Sequence, residues 1–170
     1  MDRIAKFEKV SFEQYLKDYK DIMGTEEGAK EAYDLVKLPV RATTGSAGYD
    51  IICPFEMHLE AGNGLRVPTG LRAQIAEGWM LLILPKSGLG MKNRLQLDNT
   101  IGLIDSDYYN AANEGHIMVP VRNNYVTQGT KDLTVPAGKA FVQAVFVPFG
   151  ITVDDAAEGV RNGGFGSTNA

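Results

Sequence analysis

The apolar positions of residues 1–38 recur at helical spacing. A first run places apolar side chains three or four residues apart, at Phe12, Tyr15, Leu16, Tyr19 and Met23, which predicts an amphipathic helix. Ser11 and Gln14 fit a capping box at its start. Thr25 is expected to cap a second, shorter helix with the apolar face Ala29, Ala32, Tyr33 and Val36, and Pro39 ends it. We interpret residues 1–38 as a helical N-terminal extension with a structural role.

From residue 39 onward the period changes to short β-branched or aromatic runs separated by glycine, proline and asparagine. These runs predict strands at Ala47–Ile52, Gly64–Val67, Gly70–Ile75, Trp79–Leu84, Ile101–Ile104, His116–Arg122 and Lys139–Phe149. Many short strands at this spacing are typical of a β-sandwich or jelly roll, and not of alternating βαβ units. We therefore predict an all-β domain over residues 39–158. Residues 159–170 are rich in glycine and nearly lack aliphatic side chains, so they predict a mobile C-terminal tail.

Composition narrows the class of protein. With 170 residues, 44% apolar and 22% charged, the chain has the values of an ordinary soluble domain. No apolar run reaches the roughly 20 residues of a membrane span, and no signal peptide is evident, so we expect a cytoplasmic protein. A net charge of −4 without a dense basic cluster argues against binding long nucleic acids. One cysteine and two histidines predict neither a disulfide nor a zinc site.

Three segments carry residues suited to chemistry. The predicted strand Ile101–Ile104 runs directly into Asp105 and Asp107, where a carboxylate could act as a general base or simply satisfy a tight turn. Lys86-Ser87-Gly88 places a cation, a hydroxyl and a glycine amide together, as in a phosphate-binding loop or an ordinary solvated loop. The tail offers an arginine, an aromatic ring and two hydroxyls, which could grip a nucleotide or be idle.

Taken in order, these segments resemble the five motifs of the homotrimeric dUTP pyrophosphatase (dUTPase) family, over roughly residues 39–169. The similar segments are Ala47–Asp50, Pro85–Gly90, Asn99–Tyr108, Gly138–Gln143 and Gly163–Thr168. The resemblance implies a jelly-roll-like fold and Mg²⁺-dependent hydrolysis of dUTP to dUMP and pyrophosphate. Such an activity limits uracil incorporation into DNA and supplies dUMP for dTMP synthesis.

The resemblance also implies a role for each matching residue. Asp105 would activate the attacking water, and Asp50 would contact the Mg²⁺ through water while substrate phosphates hold most of the ion. Tyr108 would pack under the sugar and exclude a 2′-hydroxyl. The remaining substrate-binding residues would be Lys86, Ser87, Gly88 and Gln143 at the phosphates, Asn99, Gly102 and Ile104 at uracil, and Arg161, Phe165, Gly166, Ser167 and Thr168 in the tail. Each site would be assembled from three subunits of a homotrimer.

Three departures from the family pattern stand out. Lys86 replaces the usual arginine, and an ammonium cannot form the planar, bidentate contact of a guanidinium with phosphate. Arg161 stands one residue nearer Phe165 than is common. Residues 109–115 are inserted after Tyr108, where the family usually turns more tightly.

Two other functions are compatible with parts of this pattern. A dCTP deaminase shares the fold and triphosphate site, but Lys86-Ser87-Gly88 and the complete glycine-rich tail favour the dUTPase. A nucleotide-gated regulator that contacts a protein partner is the other alternative, with the N-terminal extension and the 109–115 insertion as possible surfaces.

Overall fold

The computed structural model describes residues 2–125, 131–159, 161 and 163. Its strands are β1 (Ala5–Lys9), β2 (Val40–Arg41), β3 (Tyr49–Ile52), β4 (Met57–Leu59), β5 (Gly64–Pro68), β6 (Leu71–Ile75), β7 (Trp79–Pro85), β8 (Leu95–Leu97), β9 (Gly102–Ile104), β10 (Met118–Asn123), β11 (Leu133–Val135) and β12 (Ala140–Pro148). The helices are α1 (Phe12–Met23), α2 (Ala29–Leu35), α3 (Ser87–Asn93) and a 3₁₀ helix at Ser106–Asn110. None of the described helices is long and apolar enough to cross a membrane.

Antiparallel sheets form the body of the molecule. The largest has the order β2-β3-β12-β7-β9, and a three-stranded sheet has the order β5-β10-β8. Two strand pairs, β1-β6 and β11-β4, complete the described sheets. Alternate residues of the central strands point into one core, for example Leu81 and Ile83 of β7 and Phe141 of β12. Because strands build the core and helices lie outside it, the predicted jelly-roll-like all-β class is confirmed.

Each of the predicted strands is present, within a few residues of its expected bounds. The prediction missed β1, β2, β4, β8 and β11, which have two to five residues each. It also missed α3, because Gly88 and Gly90 inside the segment favour a loop.

The N-terminal extension has the predicted helices but differs in its details. Its first strand, β1, pairs with β6 of the body, so the extension is not purely helical. Half of the capping box forms: the Ser11 hydroxyl accepts from the Gln14 amide, but the Ser11 amide donates to Glu114 and not to the Gln14 side chain, which itself donates to Asp18. Thr25 is not the cap of α2, whose N-cap is Gly28. The Thr25 hydroxyl instead accepts from the Glu27 amide within the connecting turn.

The ionisable side chains of Cys53 and His116 are fully buried in the interior. Cys53 is a free cysteine with no exposed surface, and burial raises the pKa of its thiol to about 11. His116 is also fully buried and lies between α1 and the start of β6. An imidazole without access to water requires hydrogen-bond partners at both ring nitrogens, and His116 has them.

Candidate active site

Asp105 stands at the end of an edge strand. It follows β9, which is the last strand of the five-stranded sheet among the described residues, and it precedes the 3₁₀ helix Ser106–Asn110. Gly102 lets β9 lie close to β7, since a Cβ there would come within 2.9 Å of Ile83 Cβ. The Asp105 side chain keeps 44% of its surface exposed, so it is available to a substrate.

Arg161 binds the carboxylates that follow β9. Its Nη2 lies 2.5 Å from Asp105 Oδ2, and its Nε lies 2.8 Å from Asp107 Oδ1. The arginine side chain is only 17% exposed, and its guanidinium carbon lies 5.9 Å from the centre of the Tyr108 ring. In this arrangement the Arg161 guanidinium offsets the negative charge of both carboxylates through charge-assisted hydrogen bonds.

Tyr108 forms the buried side of this region. Its hydroxyl donates to the backbone carbonyl of His116 at 2.8 Å and accepts from Asn113 Nδ2 at 2.8 Å. Burial raises the pKa of the Tyr108 phenol above its ordinary value, which keeps the group a neutral hydroxyl donor. The ring is therefore held at its far end while it lines a pocket with Asp105 and Arg161.

Two small adjoining pockets surround β9. One, of about 30 Å³, is lined by Asp105, Tyr108 and Arg161, and it shares Ile104 with the other. The other, of about 10 Å³, brings together Asn99, Gly102 and Ile104 against apolar residues of β7, β8 and β10. Ligand sites for small molecules typically enclose about 300–1,000 Å³. Neither pocket of the single chain is therefore large enough for a nucleotide.

A second group of predicted site residues gathers around β3, β12 and α3. Lys86 Nζ lies 2.8 and 2.9 Å from the two carboxylate oxygens of Asp50. Gln143 is the register partner of Asp50 across the β3–β12 pair. Ser87 and Gly88 form the exposed first turn of α3, where backbone amides have no partner within the helix. This group offers a cation, amides and a hydroxyl, the donors suited to phosphate oxygens.

The structure does not bring these two groups together within one chain. The β7–β9 register pairs Leu81 with Ile104, so Asp105 lies level with Met80. Lys86 is six positions further along β7, which at about 3.3 Å per residue separates it from Asp105 by about 20 Å. The predicted water-activating and phosphate-binding residues of one chain are therefore too far apart to contact the same phosphorus atom.

Part of the predicted site lies beyond the described residues. Arg161 is described, but Phe165, Gly166, Ser167 and Thr168 fall outside the part of the chain that the structure describes. Sequence reasoning also missed the environment of Tyr108, which includes His116, Asn113 and, behind them, Asp18 of α1. His116 lies in a predicted strand, which is only weak evidence of a role near the site. Nothing in the sequence pattern linked it to the N-terminal extension.

Comparison with known proteins identifies the family of the chain. The sequence profile of the dUTPase family matches residues 34–169. The chain is similar to the deoxyuridine 5′-triphosphate nucleotidohydrolase of Glaesserella parasuis, with 43% identity over 137 residues that cover 76% of this chain and 85% of the relative. It is also similar to the solved dUTPase of Streptococcus mutans, with 32% identity, a TM-score of 0.64, and coverage of 88% of this chain and 98% of that one.

A third similarity concerns the fold alone. The dUTPase of phage phi11 of Staphylococcus aureus, whose structure describes the coordination of a structural Mg(II) ion, is 18% identical with a TM-score of 0.65. The match covers 92% of this chain and 98% of that one. Because the family profile spans most of the sequence, and a relative above 30% identity is matched over most of both chains, this protein belongs to the dUTPase family.

Proposed function

We propose that the protein hydrolyses dUTP to dUMP and pyrophosphate, with Asp105 as the general base that activates water for attack at the α-phosphate. The observation that carries this proposal is the half-exposed Asp105 carboxylate at the end of β9, beside Tyr108 and paired with Arg161. A single general base typically accelerates a reaction by about 10²–10⁴-fold, so phosphate positioning and charge neutralisation supply the remainder.

Lys86, Ser87, Gly88 and Gln143 bind the α- and β-phosphates in this mechanism. The ion pair between Lys86 and Asp50 supports the assignment, because it holds the ammonium at the start of α3, next to the free amides of its first turn. Substrate binding exchanges Asp50 for phosphate oxygens around Lys86. Ser87 then stabilises the charge that develops on the leaving phosphate oxygen.

The donors near Lys86 fit a magnesium ion that is held chiefly by substrate. Asp50 is a single hard oxygen donor, and the described residues contain no cluster of three side chains that could bind a metal without the nucleotide. Mg²⁺ retains several waters and commonly binds through one or two carboxylates plus phosphates. Asp50 would hold it through water, and the ion would neutralise triphosphate charge.

Selectivity for deoxyuridine is assigned to β9 and Tyr108. As the edge strand of its sheet, β9 presents backbone groups of Gly102 and Ile104 that cannot rearrange to suit another base. Asn99, at the exposed hairpin tip, adds a side-chain contact to uracil. The Tyr108 ring packs under the sugar and leaves no room for a 2′-hydroxyl. A wrong base or sugar would leave polar groups unpaired or clash with the ring.

We further propose that the active unit is a homotrimer with shared sites. The separation of about 20 Å between Lys86 and Asp105 along β7 supports this, because in-line attack requires reacting atoms within about 3.5 Å. Large apolar side chains that stay exposed on the single chain supply candidate interface area, notably Val40, Met91 and Ile151. One subunit contributes the β9 hairpin, a second contributes the Lys86 loop, and a third contributes the tail.

The tail completes the site in this scheme. Arg161, Ser167 and Thr168 bind the γ-phosphate, Phe165 stacks on uracil, and Gly166 allows the backbone to approach the nucleotide. The ion pair of Arg161 with Asp105 lies within one chain and supports a switch, in which the triphosphate at another subunit's site attracts the arginine away from this carboxylate and frees the base. In the cell this activity would limit uracil incorporation into DNA and provide dUMP for dTMP synthesis. The cytoplasmic location stays a prediction.

Pyrophosphate release from dUTP, dCTP, dTTP and UTP in the presence of Mg²⁺ tests the proposal. We expect strong release from dUTP alone, with light scattering of the same sample at the mass of a trimer. Ammonia release from dCTP would indicate a deaminase. Tight dUTP binding without turnover would indicate a nucleotide-gated regulator.

A further inference from the structure

The N-terminal extension holds the 109–115 insertion. The Glu114 carboxylate accepts hydrogen bonds from the Ser11 amide at 2.7 Å and from the Ser11 hydroxyl at 2.6 Å, at the N-terminus of α1. The Tyr109 hydroxyl donates to Glu8 of β1 at 2.5 Å. Glu114 and Gly115 both have positive φ, 58° and 69°, so the insertion turns back sharply toward His116. The N-terminal extension and the 109–115 insertion are thus one connected unit.

His116, which directly follows the insertion, forms a second link to α1. Its Nε2 accepts a hydrogen bond from the Gly70 amide at 2.9 Å, which requires that Nε2 carry no proton. Its Nδ1 therefore carries the proton and donates to Asp18 Oδ2 at 2.6 Å. Asp18 is itself buried and also accepts from Gln14 at 2.9 Å. The orientation of the His116 ring is consequently fixed from both sides.

The backbone of His116 in turn holds Tyr108. The His116 carbonyl accepts from the Tyr108 hydroxyl at 2.8 Å, and the next amide, that of Ile117, donates to Leu71 of β6 at 2.8 Å. A ring can exclude a hydroxyl group only if it cannot retreat from it. The fixed carbonyl behind the Tyr108 hydroxyl prevents this retreat, while the ring lines the pocket beside Asp105.

We propose that Asp18 and His116 are positioning residues for Tyr108, through which the N-terminal extension sets the discrimination between deoxyribose and ribose. The inference rests on the proposed function, in which Tyr108 lies under the sugar. Residues 1–33, which include α1 with Asp18, lie outside the region matched by the family profile.

The test compares kcat and KM for dUTP and UTP in the full-length protein and in Asp18→Ala. We expect the ratio of kcat/KM for dUTP to that for UTP to fall about tenfold, mainly because UTP becomes a better substrate as the ring gains freedom. Asp18→Asn keeps an acceptor for His116 Nδ1–H and should recover most of the selectivity. Asp21→Ala is the matched control, since Asp21 is an exposed aspartate on the same helix.

The variant Ala32→Gly tests whether a general loss of stability, without a loss of Tyr108 positioning, changes the selectivity. Ala32 is buried in α2, away from the hydrogen bonds that lead to Tyr108, and glycine there destabilises the extension. Selectivity should be retained in Ala32→Gly even where its melting temperature falls as far as that of Asp18→Ala. If Asp18→Ala fails to fold, Asp18→Asn carries the test, with a loss of about two- to threefold expected against none for Asp21→Asn.

The protonation of His116 gives an independent readout. The chain has two histidines, so a ¹⁵N-histidine spectrum resolves His116 from His58. We expect His116 to be neutral with its proton on Nδ1, and the Asp18→Ala substitution to change that signal. Unchanged selectivity in Asp18→Ala, equal losses in Ala32→Gly, or a proton on Nε2 would overturn the inference. Absence of dUTP hydrolysis by the unsubstituted protein would instead overturn the proposed function.

Discussion

Both ends of the described chain reach Tyr108, but by different kinds of interaction. The N-terminal extension acts through Asp18 and His116, whose side chains are 10% and 0% exposed. Arg161, near the C-terminal end of the described chain, acts through ion pairs to Asp105 and Asp107, whose side chains are 44% and 56% exposed. One end provides a buried, hydrogen-bonded contact, and the other an ion pair whose carboxylates are open to solvent.

This difference separates a fixed contact from an exchangeable one. Removing one partner of a buried hydrogen bond typically costs about 1–3 kcal/mol, and more where the group left without a partner is charged, as the Asp18 carboxylate is. An exposed pair contributes only about 0–1 kcal/mol, so a competing anion can readily replace one partner. The extension is therefore suited to hold Tyr108 through every turnover. Arg161 is suited to move from Asp105 to a phosphate.

The largest expected effect comes from Asp105→Asn, which removes the base and leaves its shape. We expect kcat for dUTP to fall by about 10²–10⁴-fold while dUTP still binds. Stopped-flow or quench measurements of kcat, with calorimetric titration of a non-hydrolysable dUTP analogue, check both parts. Asp107→Asn is the control, because Asp107 shares Arg161 but is not assigned to the chemistry. Near-normal turnover in Asp105→Asn would remove this residue from the role of base.

Removal of the exchangeable contact should have the next largest effect. In Arg161→Ala we expect kcat/KM for dUTP to fall by about 10–100-fold, because a charge-assisted hydrogen bond to phosphate contributes about 1.5–3 kcal/mol. The melting temperature should hardly change, since the pairs that Arg161 leaves behind are exposed. Arg3→Ala, at an exposed arginine of the other end, serves as the control. A large loss of stability without loss of activity would show that Arg161 belongs to the fixed contacts.

Ser11→Ala should lower stability but not activity, which is the opposite of the result expected for Arg161→Ala. The substitution removes the N-cap of α1 and one of the hydrogen bonds to Glu114, which we expect to lower the free energy of unfolding by about 1–2 kcal/mol. The kcat for dUTP at 25 °C should stay within about twofold, because the extension remains docked at that temperature. Urea unfolding and steady-state kinetics measure the two quantities. Thr25→Ala, at a threonine that caps no helix, should change stability less.

The smallest expected effect is a dependence of stability on acid pH. Hydrogen bonds from the Ser11 hydroxyl and amide hold the pKa of Glu114 below its ordinary value of 4.5. A carboxylate with a lowered pKa in the folded state stabilises the fold above its unfolded pKa, and this contribution is lost as the pH falls through the folded pKa. Stability should thus be constant down to about pH 5 and decrease below it.

Glu114→Gln should reduce that decrease, because the glutamine does not titrate. Glu13→Gln, at an exposed glutamate of the first turn of α1, is the matched control and should leave the acid slope nearly unchanged. Urea unfolding between pH 3 and 7 measures the slope. Identical acid slopes in the two variants would contradict a stabilising role for the ionised Glu114.

The sequence predicted the long strands of this fold better than the short ones. Strands such as β7 and β12 carry enough alternating or β-branched residues to show their period. The pair Val40–Arg41 and the triplets of β4, β8 and β11 are too short to show any period, and only their pairing with other strands defines them. β1 has a single buried residue, Phe7, so its alternation gave little signal.

For the candidate site, the sequence indicated which residues to examine but not their arrangement. Asp105, Lys86 and Arg161 lie in segments whose motifs resemble those of dUTPases. Only the register of β7 and β9 shows that Lys86 and Asp105 are far apart in one chain. The link from Asp18 to His116 joins residues separated by 98 positions, and no local pattern predicts such a contact.

The reactivity of the Cys53 thiol can be used to measure local opening of the β domain. With a thiol pKa of about 11, only about one molecule in 10⁴ carries a thiolate at pH 7, and the side chain has no exposed surface. A thiol reagent can therefore react only after β3 and its neighbours have separated. Because the chain has a single cysteine, every labelled molecule has opened at this one place. The labelling rates with and without nucleotide therefore show how far substrate slows the local opening of the sheet.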